Sequence, residues 1–286
     1  MAPQNTPTSP LISAEELDAR LGDPQVKILD VRWRQDRPEG MPEYLQGHIP
    51  GAVFVDLDYE LADPEAANNG HGRHPLPVLE EFQATVQRWG VNNGDTIIVY
   101  DDLKNLSSAR AWWLLRWAGF GDVRILDGSL RAWTGTGRAV ADGLEMPDFG
   151  DAHITPQQMP LLEADDVVGF AQRATLLDAR PADRYTGEYD PLSPRPGHIP
   201  GAISAPAVGS LDSSGRFLPP QQLRERYLRL GVDPERPVAA YCTSGLHSAH
   251  SVIALQLAGF QALLYPAGFS QWTRDEARRV VVGTHP

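Results

Sequence analysis

One side chain in this sequence offers chemistry that no other residue duplicates. Cys242 is the only cysteine among 286 residues, and it opens the run Cys-Thr-Ser-Gly-Leu-His-Ser directly after an apolar segment at 237–241. Read as a strand, that segment puts Cys242 at its carboxyl end, on a tight loop, with a helix over 249–257 to follow. A free thiol, with its pKa at about 8.5, is a poor nucleophile at neutral pH, but helix N-termini and loop amides favour the thiolate. Successive main-chain N–H groups around a short loop also form a nest for anions. This position therefore suits a sulfur nucleophile that attacks an anion held by the same amides. The alternative, a cysteine packed as a small hydrophobe, fits the loop position less well. A single cysteine excludes an internal disulfide framework and a multi-thiolate zinc site. The pairs His71 with His74 and His247 with His250 have no thiolate or acidic ligand set beside them, so neither a metal nor an organic cofactor is expected.

The elements that must hold this loop are written twice. Leu-Asp-Val-Arg at 29–32 returns as Leu-Asp-Ala-Arg at 177–180, and Gly-His-Ile-Pro-Gly-Ala at 47–52 returns at 197–202. Ala-Gly-Phe ending at Phe120 returns ending at Phe260, and Trp133 returns as Trp272. Constant order and offsets of about 140 to 150 residues indicate a duplicated domain rather than a solenoid, whose units are far shorter. Strand-like runs lie at 26–31, 52–55, 96–100 and 123–126, then at 175–179, 237–241 and 262–265. Between them are amphipathic stretches with helix signals: Ser13 with Glu16 as a capping box, and Gly90, Gly119, Gly231 and Gly259 as terminators. Alternating strand and helix predicts an α/β fold, each copy a parallel sheet with helices on both faces and its ligand beyond the carboxyl ends of the strands. The expected division is a polar tail at 1–10, domains at 11–140 and 161–286, and a linker at 141–160 within the Gly-, Pro- and Asp-rich stretch 134–160.

Hydrophobic residues make up 42% and charged residues 22%, an ordinary globular balance. The net charge of −12 disfavours nucleic acid as a partner, since binding to it relies on a basic face. No apolar stretch is long enough for a membrane span, and the N-terminus has no basic region leading into an apolar one, so a cytoplasmic protein without a membrane partner is expected.

The repeated Gly-His-Ile-Pro-Gly-Ala and Leu-Asp-x-Arg motifs, the cysteine loop and a copy without the cysteine resemble the two-domain rhodanese family, the thiosulfate and 3-mercaptopyruvate sulfurtransferases. The resemblance implies two tandem rhodanese-like domains with the active site between them and Cys242 cycling through a persulfide. Tyr100-Asp101 stands where Tyr241-Cys242 stands. A carboxylate cannot carry a sulfane sulfur, so the first domain is expected to be catalytically silent. Phosphatases of this fold place an arginine after five residues that follow the cysteine; here Ser248 stands there, and phosphoester hydrolysis is not expected.

The same resemblance assigns an active-site loop of Thr243, Ser244, Gly245, Leu246, His247 and Ser248. Ser244 stands where thiosulfate-preferring enzymes usually carry a basic residue, which ranks mercaptopyruvate ahead of thiosulfate. Thr243 and His247 depart from the usual glycine and small hydroxyl residue; a protonated His247 is expected to supply the missing charge. Arg184 and Arg195 match arginines that grip the donor carboxylate. Ser244, His74 and Asp58 match a proton relay that spans the two domains. The partners implied are a small anionic sulfur donor and an acceptor, either a thiol (a thioredoxin-like protein or a low-molecular-weight thiol) or cyanide. Arg32, Arg180, His48 and His198, within the repeated motifs, read as scaffold. The competing class is a non-catalytic persulfide carrier or interaction module, and the paired arginines favour the enzyme.

Overall fold

The computed structural model describes residues 9–286. Most of the tail expected at 1–10 therefore lies outside the described residues. Pro10 already belongs to the fold, its carbonyl accepting from the Ile125 N–H at 2.8 Å.

The first sheet consists of β1 (Leu11–Ile12), β2 (Val26–Asp30), β3 (Ala52–Phe54), β4 (Thr96–Tyr100) and β5 (Asp122–Leu126). Their order is β1-β5-β4-β2-β3, and every pairing is parallel. The second consists of β6 (Thr175–Asp178), β7 (Ala202–Ser204), β8 (Val238–Tyr241) and β9 (Ala262–Leu264), in the order β7-β6-β8-β9, also all parallel. The internal repeat is thus a structural one: Asp30 faces Tyr100 across β2 and β4 as Asp178 faces Tyr241 across β6 and β8. Two strands had no counterpart among the sequence expectations, β1 and β7. Both lie at sheet edges and have two and three residues, too few for a period to show.

The helices of the first half are α1 (Ala14–Asp18), α2 (Met41–Gln46), α3 (Leu57–Glu60), α4 (Pro64–Asn68), α5 (Leu79–Arg88), α6 (Leu106–Trp117) and α7 (Ser129–Thr134). Those of the second are α8 (Val167–Arg173), α9 (Ala182–Thr186), α10 (Pro220–Arg229), α11 (Leu246–Leu257) and α12 (Gly268–Trp272). The Ser13–Glu16 capping box is present, and the four terminating glycines all have positive φ. No helix among the described residues is long and apolar enough to cross a membrane.

Alternate strand residues enter different cores, as the two-residue period requires. Ile97 and Val99 of β4 and Val238 and Ala240 of β8 join one continuous apolar core that also holds the facing sides of α6 and α11. Ile98 and Tyr100 point into a core confined to the first domain, and Ala239 and Tyr241 into one confined to the second. The shared core fixes α6 against α11 and so joins the domains. The 141–160 segment runs along the first domain, with Ala141 pairing with His48 and the amides of Ala152 and Thr155 donating to Val91 and Ala118 carbonyls. Leu161 then bridges to Leu264 in parallel, at the edge of the second sheet.

Candidate active site

The loop after β8 is oriented by α12. The Cys242 carbonyl accepts from the Phe269 N–H at 2.8 Å and the Thr243 carbonyl from the Ser270 N–H at 2.9 Å. In a trans peptide N–H points opposite to C=O, so the Thr243 and Ser244 amides are turned away from α12. The Gly245 N–H donates to Cys242 Sγ at 3.2 Å and the Ser248 hydroxyl at 3.4 Å. The amides of Thr243, Ser244, Leu246 and His247 donate to no acceptor among the described residues. Gly245 sits at φ +92°, and a β-carbon there would lie 2.5 Å from the Pro266 carbonyl oxygen and 2.7 Å from Arg110 Nη1. Only glycine fits. Because α11 begins at Leu246, the residues Leu246, His247 and Ser248, expected in a loop, form its first turn. The sequence period becomes visible only at Ala249, since the first turn carries His247 in the cavity wall and Ser248 with its hydroxyl on the sulfur.

Cys242 is only 2% exposed, yet it lines a cavity of about 50 Å³ between the domains. From the second domain Thr243, Ser244, Leu246, His247, Arg184 and Leu192 line the same cavity. The first domain contributes Trp33, Gln35, Arg73 and His74.

Three of the expected residues form a connected chain. His74 Nδ1 lies 2.8 Å from Ser244 Oγ, and Nε2 lies 2.9 Å from Asp58 Oδ1. Asp58 also accepts from Trp33 Nε1 at 2.9 Å. Burial raises the Asp58 carboxyl, but the hydrogen bonds from His74 and Trp33 outweigh it and hold the group below its ordinary range. Burial depresses the His74 imidazole, with Arg110 and Arg73 adding to the effect against the pull of Asp58. A neutral imidazole beside an ionised carboxylate carries its proton on Nε2, leaving the Nδ1 lone pair to accept from the Ser244 hydroxyl. The loop bearing His74 is tied to the other domain by Arg73 N–H donating to Ser270 Oγ at 3.0 Å.

The expected arginines separate. Arg184 lines the cavity, and its nearest carboxylate, Asp190, is 4.0 Å away. Arg195 does not line it: Nη1 donates to the Asp275 carbonyl at 2.9 Å and Nη2 to the Arg278 carbonyl at 2.6 Å. A guanidinium committed to carbonyls has little left for a ligand. Arg73, which sequence reasoning passed over, stands in the cavity wall instead. Its one sequence signal was adjacency to His74. Trp33 was similarly legible as the residue that follows Leu-Asp-Val-Arg. Burial and the nearby Arg184 cation push His247 down to about 4, so it is neutral at pH 7. The cavity's positive charge therefore comes from Arg73 and Arg184 rather than from His247.

The repeated motifs tie strand ends to turns. Arg32 bonds Asp30 and the Gly47 carbonyl, as Arg180 bonds Asp178 and the Gly197 carbonyl. His48 and His198 direct Nδ1 at the carbonyls of Tyr44 and Tyr185. Among the described residues, no three His, Cys, Asp or Glu side chains converge as metal ligands would.

This pair of parallel-sheet domains around a shared thiol site corresponds to a known family. The rhodanese-like domain model matches residues 13–136 and again 161–275, and the chain belongs to the rhodanese family. It is 44% identical over 281 residues to a protein of Mycobacterium tuberculosis named putative thiosulfate sulfurtransferase SseB, covering 96% of this chain and 97% of that one. It is 40% identical over 279 residues to a probable 3-mercaptopyruvate sulfurtransferase of Pseudomonas aeruginosa, covering 96% and 98%. The crystal structure of SseA from Escherichia coli, a 3-mercaptopyruvate sulfotransferase, superposes with a TM-score of 0.80 at 33% identity, covering 90% of this chain and 98% of that one.

Proposed function

We propose that this chain is a sulfurtransferase that moves a sulfane sulfur from 3-mercaptopyruvate, in preference to thiosulfate, to a thiol or cyanide through a Cys242 persulfide. The Cys242 thiolate attacks the donor sulfur and forms the S–S bond while the donor's C–S bond breaks. Its electron pair leaves on carbon as pyruvate enolate, which takes a proton to become pyruvate. An acceptor thiolate or cyanide then attacks the outer sulfur, and Cys242 departs as thiolate. The free amides of Thr243, Ser244, Leu246 and His247 are available to stabilise the anionic sulfur in both steps. Arg184 and Arg73 grip the donor carboxylate. The first domain, with Asp101 at the matching place, takes no sulfur and supplies a wall and the His74–Asp58 part of the relay.

The observation that carries the donor choice is the hydrogen-bonded chain Ser244–His74–Asp58 in the cavity wall. Pyruvate enolate needs a proton, whereas sulfite leaving from thiosulfate needs none. His74→Ala should therefore lower kcat/KM for mercaptopyruvate by about 10²-fold and leave thiosulfate within about threefold. Equal losses with both donors, or a wild-type preference for thiosulfate, overturn the assignment. A persulfide carrier without turnover would instead accept sulfur only from a partner protein and show no steady-state rate with either small donor.

A further inference from the structure

Arg32, Arg110 and Arg180 are the buried arginines of the described residues. Arg32 and Arg180 each hold an aspartate. Arg110, in the middle of α6, holds none. Its Nη2 donates to the carbonyls of Leu61, His74 and Pro75 at 3.3, 3.0 and 3.2 Å, while Nε and Nη1 have no partner. A buried cation without an anion is strongly disfavoured, so the direction of its unpaired edge matters. Nη1 faces Gly245, where an added β-carbon would approach it to 2.7 Å, and the Gly245 N–H is the one that bonds Cys242 Sγ. Burial pushes Arg110 down to about 10, and the one opposing attraction comes from the Cys242 sulfur.

We propose that Arg110, supplied by the domain without a cysteine, is the counter-cation of the ionised Cys242 sulfur and of the persulfide that replaces it. This rests on Cys242 being the nucleophile, as argued above. Arg110 is a positioning residue: it acts through the sulfur's charge and need not touch the donor. The duplicated helix has no second such charge. His250 occupies the matching place on α11, stacked on Phe217 with ring centroids 4.5 Å apart, and burial holds it down to about 3. The other ionisable groups around the sulfur are Arg73, His74 and Asp58 from the first domain and Arg184 and His247 from the second.

The test reads the sulfur rather than turnover: the rate of Cys242 alkylation by iodoacetamide as a function of pH. Arg110→Met should move the inflection about one unit higher and slow alkylation at pH 7 about tenfold. Arg110→Lys, which restores the charge, should keep the wild-type profile. An Arg110→Met profile that coincides with wild type, or an equal shift in Arg110→Lys, overturns the proposal. If Arg110→Met does not fold, the stability difference between wild type and Cys242→Ala decides. That difference should grow as pH rises towards the ordinary thiol range if the cation stabilises the ionised sulfur; a flat difference overturns the pairing. Sulfur transfer by Cys242→Ser would refute the nucleophile while leaving the alkylation profiles readable, so the two failures are distinguishable.

Discussion

Asp101 and Cys242 each follow a tyrosine at the end of a central strand, and each opens a loop that leads into a twelve-residue helix. The loops differ in what their amides hold. In the first domain the Asp101 carboxylate accepts from the amides of Leu103, Asn105, Ser107 and Ser108 at 2.9 to 3.0 Å, and from the hydroxyls of Ser107, Ser108 and Ser129. That nest contains its own anion, covalently attached. In the second domain the sulfur accepts from one amide and one hydroxyl, and the amides of Thr243, Ser244, Leu246, His247 and Ser248 donate to no acceptor among the described residues. Equivalent strand-to-helix loops, the first one residue longer, are thus a closed structural plug in one copy and an open anion site in the other.

The largest expected effect removes the difference at its source. Cys242→Ser should lower sulfur transfer by about 10³-fold or more with the melting temperature little changed; measurable turnover with either donor would break the contrast between the loops. Next is the wall that only the second loop possesses. Arg184→Met should raise KM for mercaptopyruvate by about 10- to 100-fold through loss of a charge-assisted contact, whereas Arg195→Met should stay within about threefold because its guanidinium is committed to carbonyls. A reversed order in steady-state kinetics would exchange their roles.

The plug is tested through stability. Asp101→Asn places an NH2 group against amide donors in a fully buried site, and chemical denaturation should show a loss of about 2 kcal/mol, with kcat/KM within about twofold of wild type. A large kinetic defect would mean that the first loop also serves catalysis.

A smaller signature distinguishes the helices that follow the loops. His247 and His250 of α11 are held down to about 4 and about 3, and the corresponding positions of α6 are Ser107 and Arg110. Below the ordinary histidine range, near pH 6.5, the unfolded chain binds protons that the folded chain refuses. Stability is therefore full above about pH 6.5 and falls on acidification, at up to about 3 kcal/mol per pH unit for two groups, until His247 titrates. His250→Gln should roughly halve that slope in stability measured against pH, and an unchanged slope would mean that His250 protonates freely in the folded protein.

Much of this was legible in the chain. The duplicated Leu-Asp-x-Arg and Gly-His-Ile-Pro-Gly-Ala motifs are local, because each ties a strand end to a turn close by in sequence, so their recurrence revealed the two domains. Cys242 was legible because it followed an apolar strand and preceded a helix. Arg110 was hidden for the opposite reason: it sits in the apolar run Ala-Arg-Ala-Trp-Trp-Leu-Leu, where an arginine reads as a surface break in a core helix. Nothing local marks the loop it packs against, whose cysteine comes 132 positions later.

The sequence by itself determined the fold, the duplication and the place of its single cysteine on the loop after a central strand, since these follow from short-range patterns of apolarity, glycine placement and residue chemistry. Only the tertiary structure decided which arginines face the cavity, that His247 is neutral there, and that a cation from α6 lies buried against the Cys242 loop. Those outcomes depend on desolvation and on distances across the α6–α11 contact, which are properties of neighbours in space and not of neighbours along the chain.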